Sequence, residues 1–153
     1  MKAPAILFFS LIACICILKK PLANQDSKIT EIRFGTSFGM CAGYCIQEVS
    51  FTRDKVEKTL IPHRDKSMDV KKCSLNYEGF EMLAVSIDLE AIKKLEATIG
   101  CPDCADGGAE WIQIFTNDGL PKKVTYSYND EPEAVKPFIE NLREVFDKLG
   151  KCE

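Results

Sequence analysis

The sequence predicts an α+β domain, an antiparallel sheet with helices packed on one face, and three observations carry that prediction. Period-two alternation of apolar residues recurs four times before Glu78 and twice more after Gly108. The period changes to a helical one at Phe80 and again at Phe138. No strand–helix–strand crossover separates the early strands, so neighbours in sequence pair as hairpins. At 153 residues the chain has room for one such domain.

Taken in order, residues 29–34 form a first strand with Ile32 and Phe34 on one face, followed by a glycine-rich loop over 35–43. Residues 44–52 alternate again, with Cys45, Val49 and Phe51 on one side, and 56–61 pair with them through Arg53, Asp54 and Lys55. Residues 62–70 are a charged surface loop carrying His63, the only histidine. Residues 71–77 return to period two and align Cys73, Leu75 and Tyr77.

Phe80, Leu83, Ala84 and Ile87 then fall at i, i+3, i+4 and i+7, the apolar stripe of a helix. Asp88 is placed to cap a second helix carrying Leu89, Ile92 and Leu95, with Gly100 expected just past its end. A tight loop over 101–108 leads to strands at 110–116 and 123–128, joined by a turn containing Asn117, Asp118 and Gly119. Pro132 and Pro137 delay the last helix, which buries Phe138, Ile139, Leu142, Val145, Phe146 and Leu149 and stops at Gly150.

The N-terminus reads differently. Lys2, an apolar run over residues 3–18 and then Lys19 and Lys20 make a signal segment over 1–23, with Ala23 as the small residue before the cut. A run of 16 residues is shorter than the ~20 that span a bilayer. The alternative is a lipoprotein signal, because Leu11, Ile12, Ala13 and Cys14 have the form of a lipobox; membrane attachment would then come only through a lipidated Cys14. Against it, Ile15, Cys16, Ile17 and Leu18 stay apolar where a mature lipoprotein turns polar. Either route exports the domain of residues 24–153 to the periplasm, the cell envelope or the medium.

Cleavage after Ala23 removes three lysines and no acid, which takes the net charge from −3 to −6. So acidic a domain, with no basic stripe, repels phosphate backbones and excludes nucleic acid as a partner. It retains Cys41, Cys45, Cys73, Cys101, Cys104 and Cys152, an even number that in an oxidising compartment implies disulfides.

The cysteines cluster in two motifs, Phe34-Gly-Thr-Ser-Phe-Gly-Met-Cys-Ala-Gly-Tyr-Cys45 and Gly100-Cys-Pro-Asp-Cys-Ala-Asp-Gly-Gly-Ala-Glu-Trp111. On these motifs the chain resembles a group of small exported bacterial proteins of unknown function. It is more distantly similar to a broader uncharacterised domain that opens with a Phe-Gly-x-Cys-x-x-Tyr type of loop. The resemblance implies export and an α+β fold, and it implies no activity and no catalytic residue.

Three readings of the cysteines compete. As disulfides they staple a small core, and the expected pairs are Cys45 with Cys101, linking the two motifs across a long loop, and Cys73 with Cys152 as the remainder. The local pairing of Cys41 with Cys45 and Cys101 with Cys104 is the alternative. As thiolates, Cys41, Cys45, Cys101 and Cys104 have the count and spacing for a four-sulfur zinc site, which export disfavours. The third reading is redox chemistry at Cys101-Pro-Asp-Cys104, although that motif follows a helix instead of preceding one.

Other marked residues have plainer explanations. Asp103, Asp106 and Glu110 have the oxygen chemistry for Ca²⁺, but Asp106-Gly107-Gly108 reads first as a turn. His63 has no partner motif and reads as a solvated surface side chain. Trp111, Tyr126 and Tyr128 read as core or a covered sheet face before a ligand platform. With no nucleophile elbow, phosphate loop or metalloprotease helix in the chain, the function expected is non-enzymatic. It is an exported binding or structural module stapled by cysteine pairs, with an unidentified protein or small ligand as partner. No cofactor is expected; the alternative is a zinc-binding or cysteine-based redox protein.

Overall fold

The computed structural model describes residues 28–63, 67–119 and 121–150. The expected export segment at 1–23, with Cys14, lies outside these residues, as does Cys152. The elements run β1 (Ile29–Ser37), β2 (Ile46–Phe51), β3 (Lys55–Ile61), β4 (Lys71–Asn76), α1 (Phe80–Val85) and α2 (Leu89–Lys94). They continue with β5 (Thr98–Ile99), β6 (Ala109–Thr116), β7 (Lys122–Ser127) and α3 (Lys136–Lys148). One sheet holds all seven strands in the order β4-β3-β2-β1-β6-β7-β5.

β1 takes the central place, between β2 and β6, with Ile32 and Phe34 fully buried. Its register sets Ile32 opposite Phe51 and Ile114, and Phe34 opposite Val49 and Ile112. Antiparallel partners share a face, so these six side chains lie on one side, joined by Val56 of β3 and Val124 and Tyr126 of β7. The same core cluster contains Phe80, Leu83, Leu89, Ile92, Phe138, Ile139 and Leu142 from the three helices. Fully burying each such side chain contributes about 1.5–3 kcal/mol, which is what holds short helices of this kind in place.

The opposite face is largely polar, although Trp111 and Phe115 also lie on it. Arg33 pairs with Glu31 at 2.6 Å, Ser50 donates to the same carboxylate at 2.6 Å, and Glu57 takes both Lys55 and Lys72. Partial burial raises the Glu31 carboxyl, but the bonds from Arg33 and Ser50 outweigh it and leave Glu31 below the usual carboxylate range.

Several expectations are corrected. The sheet is not wholly antiparallel, because β5 runs parallel to β7 with Thr98 beside Thr125 and Ile99 beside Tyr126. Gly100 therefore ends a strand, not a helix: α2 stops at Lys94, and the β-branched Thr98 and Ile99 pair with β7 instead. The expected cap is present, with Asp88 Oδ1 accepting from the backbone N–H of Ala91 at 2.9 Å. Cys73 and Leu75 do share a face, yet Leu75 is 57% exposed, because β4 is an edge strand with little packed over it. Pro137 sits inside the first turn of α3, where its missing N–H costs nothing.

Candidate functional site at the disulfide loops

The ends of β1 and β6 bring both cysteine motifs to the same end of the sheet, since Ser37 pairs with Ile46 on one side and Ala109 on the other. Disulfides join Cys41 to Cys45 and Cys101 to Cys104, with Cα atoms 5.6 and 5.5 Å apart. The expected Cys45–Cys101 link is thus corrected to the local pairing. Cys45 leads into β2 and Cys101 follows β5, and these strands are separated by β1, β6 and β7. β2 and β5 are thus four strand spacings apart, about 19 Å, whereas the Cα atoms of each local pair lie within the roughly 7 Å that a disulfide allows.

The motifs nevertheless meet. The Asp103 carboxylate accepts from the backbone N–H of Gly39 at 3.2 Å. The ring of Phe38 lies against Gly108 and packs edge-on to Tyr128, with centroids 4.9 Å apart. A Cβ on Gly39 would collide with the Asp103 carboxylate, and one on Gly108 with the Phe38 ring. Gly108 also has φ +82°, so it meets two demands that glycine alone satisfies. Asp103, Ala105 and Asp106 hold φ values of 62°, 50° and 59°, unusual for residues with a side chain, around the single 3₁₀ turn Cys104–Asp106.

Beside the first loop, on the core side of the sheet, a cleft of about 720 Å³ opens between Tyr44, Gln47, Leu60 and Lys71 and the C-terminal end of α3 at Phe146 and Asp147. Tyr44 is held there by its hydroxyl, which donates to the carbonyl of Asp69 at 3.0 Å, and Lys71 lies over its ring. The floor is Lys58, only 4% exposed, whose Nζ donates to the carbonyls of Phe146 at 3.2 Å and Gly150 at 2.8 Å. These are the unsatisfied carbonyls that end a helix, and a cation is the charge that such an end favours. Burial pushes the Lys58 ammonium pKa down, opposed in part by Asp147.

A second polar cluster anchors α3. Glu110, 1% exposed, accepts from Arg143 at 2.6 and 3.3 Å, and the same guanidinium reaches Glu131 at 2.7 Å. Sequence reasoning missed Arg143 and Lys58; their only signal was a cation on an otherwise buried strand or helix face. Burial, with Glu110 alongside, drives the Tyr126 phenol well above its ordinary value.

The other expected site residues disperse. Glu110 accepts from Arg143 and Asp103 from Gly39; among the described residues no three acidic, histidine or cysteine side chains group to hold a metal. Trp111 and Tyr126 point to opposite faces, because Tyr126 pairs with Glu110, and Tyr128 is 40% exposed. They make no common platform. His63 is exposed and contributes its backbone N–H to the Gly43 carbonyl. Cys73 is disulfide-bonded, and the four other described cysteines pair among themselves, so its partner lies outside the described residues. Among the described residues no helix is long and apolar enough to cross a membrane.

Comparison with known proteins adds no relative: no protein-family model matches this chain, and no curated protein matches it significantly.

Proposed function

We propose that this chain is an exported, non-enzymatic binding module, cut after Ala23, in which disulfides shape a ligand cleft. It belongs with the small exported bacterial proteins that its two motifs resemble. The observation that carries the reading is the cleft between Tyr44, Lys71 and the end of α3, whose rim is the Cys41–Cys45 loop. Its volume lies within the ~300–1,000 Å³ of ordinary ligand sites, and it offers an aromatic ring, an amine and an amide among apolar walls. The ligand is a small molecule or a peptide end carrying an acceptor for Lys71.

The helices all cover the face that bears Phe34. Supporting this are the edge-on contact of Phe34 with Phe146 at 5.6 Å, the Arg143–Glu110 pair and the bonds from Lys58, which tie α3 to that face. The partner of Cys73 is Cys152: Cys73 lies opposite Lys58 in the β3–β4 register, and Lys58 holds Gly150, two residues before Cys152.

Native mass spectrometry of protein purified from the cell envelope or the medium tests the proposal. A bound mass that disappears in the Tyr44→Ala/Lys71→Glu variant is expected; an empty wild type with no bound partner would remove the reading. The measured N-terminus separates a start at Asn24 from a lipidated Cys14, and polar replacement of Leu7, Phe8, Phe9, Leu11 and Ile12 should abolish export. The zinc alternative requires both local bridges to be reduced. A thiol count under native conditions with and without chelator decides it, since four thiols released only by chelator would replace the disulfide reading.

A further inference from the structure

The two local disulfides differ in what covers them. Cys45 is 2% exposed and Cys41 half-buried, whereas Cys101 and Cys104 are both exposed. Thiol–disulfide exchange requires a thiolate to reach a sulfur in line with the S–S bond, so an open bridge exchanges where a covered one does not. The backbone between and after Cys101 and Cys104 adds a second difference. Asp103, Ala105 and Asp106 all hold left-handed conformations that residues with a Cβ disfavour, so this segment carries backbone strain.

The loop is also held without its sulfurs. Asp103 donates its N–H to the Gly108 carbonyl at 2.9 Å and accepts from Gly39, Phe38 covers Gly108, and Tyr128 N–H bonds the same carbonyl at 3.3 Å. Both ends of the motif therefore stay anchored when the bridge opens, which keeps the two thiols close enough to close again.

We propose that Cys101–Cys104 is a reversible thiol–disulfide exchange site that takes electrons from a dithiol. One thiolate of the donor attacks one Sγ of the pair; that S–S bond breaks, a mixed disulfide forms, and the other cysteine leaves as a thiolate and takes a proton from water. The donor's second thiol then attacks its own sulfur in the mixed disulfide, releasing the first cysteine. Two electrons and two protons pass to Cys101 and Cys104, and the donor becomes a disulfide. Asp103 and Asp106 flank Cys104 in the sequence and bring negative charge to this loop, which repels an anionic thiol and favours a donor whose dithiol sits in a neutral or basic setting. The inference is independent of the cleft and of what the cleft binds.

The test is to equilibrate the full mature protein with graded dithiothreitol, and separately with glutathione, then alkylate under acid quench and map each cysteine by mass. Circular dichroism follows the fold in the same samples. The expected result is modification of Cys101 and Cys104 at a dithiothreitol concentration roughly tenfold or more below that opening Cys41–Cys45, with the fold retained. Opening of Cys41–Cys45 first or at the same concentration, or opening of Cys101–Cys104 only as the protein unfolds, overturns the proposal. A glutathione reaction sampled over time that is no faster in the Asp106→Asn variant than in wild type overturns the charge selection.

Discussion

Asp103 and Lys58 are the residues on which the two ends of the site turn. Each side chain satisfies backbone groups on a segment far away in sequence, Asp103 at Gly39 and Lys58 at Phe146 and Gly150. Replacing Lys58 by Met keeps much of the volume but removes the donor to the Phe146 and Gly150 carbonyls, which costs about 1–3 kcal/mol. Thermal or urea unfolding reads that loss, and a change within error of zero would show that water substitutes for the ammonium. Gly108→Ala should cost a similar ~1–3 kcal/mol, because the added methyl meets the Phe38 ring and the backbone has φ +82°. The companion Phe38→Ala removes the collision, so the double variant should regain part of the loss if the contact is its cause.

At the scale of elements, α3 is attached by a stripe of apolar side chains and by one buried ion cluster. Arg143→Met leaves Glu110 buried without its bidentate partner, and breaking a buried pair in this way costs about 3–5 kcal/mol. Replacing Glu110 and Arg143 together by Gln and Met should cost much less, and equal losses would show that the pair is not the source. The pH dependence follows from Glu131, whose carboxyl is held below its ordinary 4.5 chiefly by the bond from Arg143, against some desolvation. A carboxylate depressed in the folded state stabilises the fold above its unfolded pKa, and the contribution is lost as pH falls through the folded value. Melting temperature should therefore drop below about pH 4.5, and Glu131→Gln should flatten that drop. An unchanged acid limb in the variant would assign the effect elsewhere, with Glu31 the next carboxylate to try.

For the whole molecule the disulfides divide into two kinds. The local bridges close loops with separations of 4 and 3 residues, worth on the order of 2 kcal/mol each by chain entropy. A bridge from Cys73 to Cys152 closes a loop of about 80 residues and restricts the unfolded chain by on the order of 4 kcal/mol. Cys73→Ser should therefore lower the melting temperature more than Cys101→Ser, and Cys73→Ser with Cys152→Ser should be no worse than either alone. Additive losses, or a non-reducing peptide map joining Cys73 to another cysteine, would refute the pairing.

Much of this architecture was legible in the chain because it depends on local periodicity. The alternation of Ile32 with Phe34 and of Val49 with Phe51, the stripe of Phe138, Ile139 and Leu142, and the Asp88 cap are each decided within one element. What periodicity cannot carry is the order of strands across the sheet. That order set β2 and β5 about four strand spacings apart and made β5 a parallel edge at Thr98 and Ile99. The partners of Lys58 and Glu110 were likewise invisible, because Phe146, Gly150 and Arg143 lie more than 30 residues away, on or just after α3, and are chosen by how that helix lands on the sheet. Sequence by itself determined which apolar residues of the central elements turn inward, such as Ile32, Phe34 and Leu142, since hydrophobic burial acts on each side chain wherever its element goes. Only the tertiary structure decided which cysteines, charges and glycines meet, since those contacts need two distant segments brought within a few ångströms.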